Sequence, residues 1–212
     1  MDEAGFAPTL PATYSWYPVG KQLRIPFEAT QERRVNAIGV LFTHGSQAGR
    51  FEFETRVSLP RSRAKKPRKT PEEIAAQHGV GLHEIGSIDA HCFLAFVWRI
   101  AGRPVDAPVN WRREVPLYIV LDNYSVHKCQ VVKDAMAALE AANVYLFYLP
   151  SYSPELSDIE PVWNDVKHHR ITTRSYGQAG CLKRGVDAGL YDEAERLRLA
   201  YAQTAASVPQ PT

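Results

Sequence analysis

The chain has 212 residues, 45% of them hydrophobic and 23% charged, with 15 prolines and 13 glycines. This is the composition of a globular protein long enough for one packed core, and it excludes collagen-like, disordered and small disulfide-scaffold classes. Lys and Arg number 25 against 23 Asp and Glu, a formal net charge of +2 that is too mild by itself to imply nucleic acid.

No apolar run approaches the ~20 residues of a membrane span. The opening MDEAGFAPTL has neither the basic nor the apolar region of a signal peptide. Cys92, Cys129 and Cys181 are odd in number and form no C-x-x-C pair. Such usage points to a reducing, cytosolic compartment, with no disulfide framework and no structural zinc.

In chain order, Val35 to Phe42 is an apolar run of strand length, and Arg50 to Val57 alternates as a half-buried strand does. Gly45 to Gly49 reads as the turn between them, which makes a hairpin. Residues Pro60 to Gly86 form a polar, basic insert. Within it, Arg61 to Lys69 carries six basic residues in nine and no acid: Arg61, Arg63, Lys65, Lys66, Arg68 and Lys69. The run reads either as a solvated loop or as a patch that tracks phosphates. Thr70-Pro71-Glu72-Glu73 is a helix start, and the spacing predicts a short helix from Pro71 to His78.

Ser87 to Ala101 is predicted helical, with Phe93, Phe96, Val97 and Ile100 on its apolar face and Gly102 as the stop. Arg103 to Glu114 holds Pro104 and Pro108 and reads as a loop. Pro116 to Leu121 is a continuous apolar run, expected to be a strand buried on both faces, and it ends directly in Asp122. A helix from Lys128 to Ala142 follows, then a second buried strand from Val144 to Leu149. Strand, helix and strand in this order make a parallel, right-handed unit. Further helices are expected from Ser157 to His169 and from Gln178 to Ala205, where Gly185 and Gly189 weaken the pattern. The last six residues read as a frayed end. The expected fold class is α/β, with an early antiparallel hairpin and a late parallel unit in one mixed sheet.

Several residues have chemistry to offer. Asp122 sits at the C-terminal end of a strand, the edge where open α/β sheets bind ligands. A carboxylate there is costly unless solvated, paired or metal-bound. The alternative is an Asp that shapes the turn with Asn123. Glu160 has capping-box spacing to Ser157, and it is equally placed to face the sheet edge and ligate metal. Asn164 and Lys167 share its helix face, where they would meet phosphate or substrate. His127 is a structural or capping histidine, or one that contacts phosphate or water. Asp2 and Glu3, by spacing alone, are a solvated end. No Gly-rich phosphate loop, G-x-S-x-G or H-E-x-x-H is present, which argues against P-loop NTPases, α/β-hydrolases and zincins.

Three blocks resemble one family. Leu121-Asp122-Asn123-Tyr124-Ser125-Val126-His127 resembles the LDNxxxH motif of mariner-type and related bacterial insertion-sequence transposases. Leu149 to Trp163, LPSYSPELSDIEPVW, resembles their LPxYSPxLNPIExxW block, and Lys167 falls where they often carry lysine. Asp2 to Phe6 looks like their DExxF block, continued by Trp16 to Gly20 and Arg33 to Gly39. The likeness runs from about residue 2 to 170 and departs at Ser157-Asp158, where the family has Asn-Pro.

The resemblance implies a ribonuclease-H-like fold over residues 1–170 and a helical extension over 171–212. It implies a catalytic, metal-holding triad of Asp2, Asp122 and Glu160, with 37 residues between the last two. Mg²⁺ or Mn²⁺, as two ions, would suit such hard oxygen ligands. The implied activity is DNA transposition by strand cleavage and strand transfer. The implied partners are DNA, as transposon ends and target, and further copies of the chain in a homo-oligomer, with no membrane. The implied location is the bacterial cytoplasm, at the nucleoid when DNA is bound. The basic run, His127, Asn164 and Lys167 are the expected DNA contacts.

Met1 directly precedes Asp2. The expectation is therefore that the first strand is largely missing and the end-reading helix-turn-helix absent. That would mean a truncated transposase, a misassigned start codon or half of a split reading frame. The alternative function is a catalytically dead remnant that binds nucleic acid non-specifically.

Overall fold

A computed structural model of the chain describes residues 1–9, 18–21, 34–58, 69–150, 153–171 and 176–207. The basic run from Arg61 to Arg68, and Trp16, Tyr17 and Arg33 of the family-like blocks, lie outside these residues.

The hairpin forms as its alternation requires. β2 (Val35–Leu41) pairs antiparallel with β3 (Phe51–Val57), Val35 opposite Val57 and Leu41 opposite Phe51. β1 (Asp2–Phe6) lies on the other edge of β2, with Asp2 opposite Gly39 and Phe6 opposite Val35. β4 (Leu117–Leu121) and β5 (Val144–Tyr148) form the parallel pair, Leu117 opposite Val144 and Leu121 opposite Tyr148. Met1 joins the two ladders: its ammonium donates to the Val120 carbonyl at 2.9 Å. The strands form two sheets, ordered β3-β2-β1 and β4-β5, which adjoin at Met1 and Val120 where one mixed sheet was expected. This is the mixed α/β arrangement that the sequence implies.

Helices begin where local chemistry satisfies their free N–H groups. In α1 (Pro71–His78), Thr70 Oγ1 accepts from the Glu73 amide and Glu73 Oε2 accepts from the Thr70 amide, a reciprocal cap. Asp89 caps α2 (Ala90–Ile100) through the Cys92 amide at 2.9 Å. α3 (Gln130–Ala141) links β4 to β5.

Side-chain alternation along the sheet builds a core on each face. Ile38 and Val40 of β2, with Ile119, Leu121, Val144 and Leu146 of the parallel pair, pack under α2 and α3. Ala4, Phe6, Val35, Ala37 and Val57 face the other way. They meet α4 (Glu160–Asp165) and the long α5 (Ala179–Ser207) through Val162, Trp163, Leu182, Val186 and Leu190. Gly189 lets α5 approach the chain at Arg170–Ile171, for an added Cβ would lie 3.1 Å from Ile171 and 3.2 Å from Arg170. No helix among the described residues is long and apolar enough to cross a membrane.

Three expectations change. β4 is buried on one face only: Tyr118 and Val120 are 62% and 45% exposed, because α4 and α5 cover β1 to β3 and the layer stops short of β4. The first strand is present over five residues, fully paired to β2; what β2 lacks is a partner on that side for Leu41. The helix expected from Ser157 starts at Glu160, with Ile159 at its N-cap and no side-chain cap. Only the Ser157 carbonyl is engaged there, by the Glu160 amide at 3.1 Å, so the capping-box reading of Ser157 and Glu160 fails. After Asp165 the helix widens into a π turn, Val166–Arg170.

Candidate metal centre

The junction of β1 and β4 gathers acids from both faces of the sheet. Asp122 follows β4, and its Oδ1 accepts from the Tyr124 amide at 3.0 Å, a local turn typical of Asp. Asn123 Nδ2 donates to the Leu149 carbonyl, which ties the exit of β4 to that of β5. The next turn, Ser125–Lys128, folds His127 back beneath Asp122. Its Nδ1 stands 3.1 Å from Asp122 Oδ1 and its Nε2 2.9 Å from Glu3 Oε1. The ring is fully buried against Phe93, with centroids 4.6 Å apart, and Tyr148 Oη donates to the His127 carbonyl at 2.8 Å.

Burial alone would disfavour a charged imidazole. The bond to Glu3 and the charges of Glu3 and Asp122 outweigh it and raise the His127 pKa above its ordinary value. In its charged form the ring donates to a carboxylate on each side.

Asp2 points to the opposite face, as the period of a strand demands. Its Oδ2 accepts from Trp163 Nε1 at 3.1 Å. The indole fits there because position 39 is glycine: an added Cβ would lie 2.7 Å from Trp163 Cη2. Phe51 packs edge-on to the same indole at 5.6 Å. Burial, then the charges of Glu160, Glu3 and Asp122, push the Asp2 carboxyl up to about 6. Glu160 itself is exposed at the start of α4.

The structure thus brings Asp2, Asp122 and Glu160 into one electrostatic neighbourhood. The tightest group of ligand atoms among the described residues is nevertheless Glu3, Asp122 and His127, all within 4.8 Å of one another. His127, expected at DNA, is instead enclosed between Glu3 and Asp122. Asn164 is exposed on α4, while Lys167 sits past the start of the π turn with Nζ 5.7 Å from the Phe6 ring centroid. Lys69 is exposed and bonds Gln77 Oε1 at 2.5 Å. Sequence reasoning missed the parts of Glu3 and Trp163. The signal for Glu3 was the alternation of β1, which sends Asp2 and Glu3 to opposite faces of one junction.

The residues present fit a divalent cation. Burial first, and then the charges of neighbouring carboxylates, push the Asp2 carboxyl up to about 6, and a cation shared by those oxygens would offset both. Asp122 retains an oxygen for it, being half exposed despite its contact with His127.

A mixed α/β domain with carboxylates converging at the ends of β1 and β4 is the class that fold and site define. Residues 80–183, including Asp122 and Glu160, match the family described as DDE superfamily endonuclease. No curated protein matches the chain. Among solved structures, the chain is similar to the Mos1 transposase paired-end complex with left transposon end, at 12% identity and a TM-score of 0.48, covering 93% of this chain and 52% of that one. It is also similar to the Mos1 strand transfer complex, at 13% identity and a TM-score of 0.41, covering 93% of this chain and 51% of that one. The chain spans about half the length of the solved structures it matches.

Proposed function

We propose that this chain is the catalytic domain of a DNA transposase that cuts and joins strands with divalent metal held by Asp2, Asp122 and Glu160. One observation carries the reading. The family match contains Asp122 and Glu160, and the Asp2 carboxyl, pushed up to about 6 by burial first and then by the charges of Glu160, Glu3 and Asp122, supports a shared site.

Mg²⁺ or Mn²⁺ ions bound there, two in number, would activate the attacking oxygen and stabilise the leaving one. The chain's own residues supply the placement. His127 fixes the rotamer of Asp122 from below, and Trp163 fixes that of Asp2 from the opposite face. Glu160, free of any capping bond at the start of α4, completes the oxygen set. Asn164 on α4 and Lys167 beyond it are the phosphate contacts in this reading, with the basic run Arg61 to Lys69 adding salt-sensitive affinity. Water attacks in strand cleavage and a DNA 3′-hydroxyl in strand transfer. Transposon ends and target DNA are the partners, and the intact enzyme works as a homo-oligomer.

The test is nicking of supercoiled plasmid by the purified chain in Mg²⁺ or Mn²⁺. Nicking that requires metal and disappears in Asp122→Asn supports the reading. Nicking that persists in Asp122→Asn overturns it. Salt-sensitive DNA binding with no nicking under any metal overturns it in favour of a non-catalytic DNA binder.

A further inference from the structure

The exit of β4 carries an aromatic shelf beside Asp122. Tyr124 is anchored there through its backbone. Its amide donates to Asp122 Oδ1 at 3.0 Å, and its carbonyl accepts from the His127 amide at 3.1 Å. The phenol ring meets the His127 imidazole at 82°, with centroids 5.9 Å apart, a contact that occupies at most one of its faces. The residue is 51% exposed.

Tyr148 flanks the same turn. It pairs with Leu121 at the end of β5, its Oη donates to the His127 carbonyl at 2.8 Å, and it is 36% exposed. Lys128, the residue after His127, is exposed, and its Nζ stands 5.5 Å from the Tyr148 ring centroid. Among the described residues no carboxylate pairs with that ammonium. Two aromatic rings and a cation therefore surround one turn, and His127 within that turn also holds Asp122.

Single-stranded nucleic acid calls for this combination. Every base has a π face that an aromatic ring can hold whatever the sequence, and a cation close by takes the backbone phosphate. In a duplex both faces of a base are covered by its neighbours, so a ring gains a base only after unstacking it. An unpaired nucleotide avoids most of that cost.

We propose that Tyr124, Lys128 and Tyr148 form a subsite for one unpaired nucleotide beside the phosphate held at Asp122. The base stacks on the open face of Tyr124. Its phosphate meets the Lys128 ammonium, which the Tyr148 ring supports from behind. The proposal rests on the reading of Asp122 as a metal ligand in a DNA-cutting centre, and it adds the form of DNA that the centre takes: an end with a single-stranded tail in preference to blunt duplex.

The experiment compares binding of the full chain to a blunt duplex and to the same duplex with a three-nucleotide single-stranded tail, made in both polarities. EDTA is present, so no strand is cut. One tail nucleotide is 2-aminopurine, whose fluorescence falls when it stacks. The parent chain should bind one tailed form about tenfold more tightly than the blunt one, within the range for a single base stacked on an aromatic ring, and should quench its fluorescence. Tyr124→Phe should keep both effects. Tyr124→Ala should lose the quenching and bind tailed and blunt DNA alike. Lys128→Ala should lower the slope of log affinity against log salt by about 0.7, the value for one single-strand phosphate contact. Equal binding of tailed and blunt DNA by the parent, quenching that survives Tyr124→Ala, or an unchanged salt slope in Lys128→Ala overturns the proposal. Nicking without tail preference removes the subsite and leaves the catalytic reading standing; tail preference without nicking does the reverse.

Discussion

The His127 imidazole stands between two carboxylates from different strands, 2.9 Å from Glu3 Oε1 on β1 and 3.1 Å from Asp122 Oδ1 beyond β4. One buried ring thereby fastens the antiparallel sheet to the parallel pair, next to the bond from the Met1 ammonium to the Val120 carbonyl. Removing it takes away packing on Phe93 and leaves Glu3 beside an unfilled space. His127→Ala should cost on the order of 3 kcal/mol in urea unfolding, the range for breaking a buried ion pair. A loss below about 0.5 kcal/mol would show that the ring does not join the halves.

The contributions of Asp2 and His127 to stability should fall as pH rises, opposite in slope to those of Glu84, Asp89 and Asp165, whose carboxyls are held below their ordinary values by hydrogen bonds and salt bridges. The Asp2 pKa is raised from 3.8 unfolded to about 6 folded, so its contribution is complete below 3.8 and lost as pH climbs to about 6. The His127 pKa is also raised, so its contribution is complete below 6.5 and lost as pH rises through the folded value. Both slopes have the same sign. Asp2→Asn should flatten the lower part of the profile and raise the Tm of the metal-free protein at pH 8. Thermal melts from pH 4 to 8 check this, and an unchanged profile in Asp2→Asn would remove the electrostatic account of the site.

Gly39 is required by the neighbour that holds Asp2. An added Cβ would lie 2.7 Å from the Trp163 ring. Gly39→Val should destabilise by about 2 kcal/mol through overpacking and should alter the near-ultraviolet dichroism of the displaced indole. A spectrum like that of the parent chain would mean the ring is not held by that contact.

Glu193 is fully buried on α5, with Arg196 paired to it and Arg170 Nε 3.3 Å from its Oε2. Glu193→Ala leaves Arg170 and Arg196 without that partner and should cost about 3 kcal/mol, read as a fall in the urea midpoint at constant slope.

Much of the fold was legible because local signals agreed. Phe93, Phe96, Val97 and Ile100 are the buried face of α2, and α1 spans Pro71 to His78 as expected from its start at Thr70-Pro71. Pro116 to Leu121 misled because apolar content does not reveal which helices cover a face; Tyr118 instead stacks on Tyr145 across the exposed side, with centroids 5.3 Å apart. Ser157-x-x-Glu160 misled because Ile159 takes the N-cap. Asp122 was readable from its strand end. Glu3 was not, because its partner His127 lies 124 residues away and only the folded sheet brings them together.

The most direct test of the centre is Mn²⁺ binding followed by electron paramagnetic resonance in the parent chain, Glu160→Gln and Glu3→Gln. The account predicts that Glu160→Gln weakens Mn²⁺ binding at least tenfold, whereas Glu3→Gln, whose carboxylate serves His127, retains it. Parent-like binding in Glu160→Gln with loss in Glu3→Gln would contradict it, and would place the ion among Glu3, Asp122 and His127.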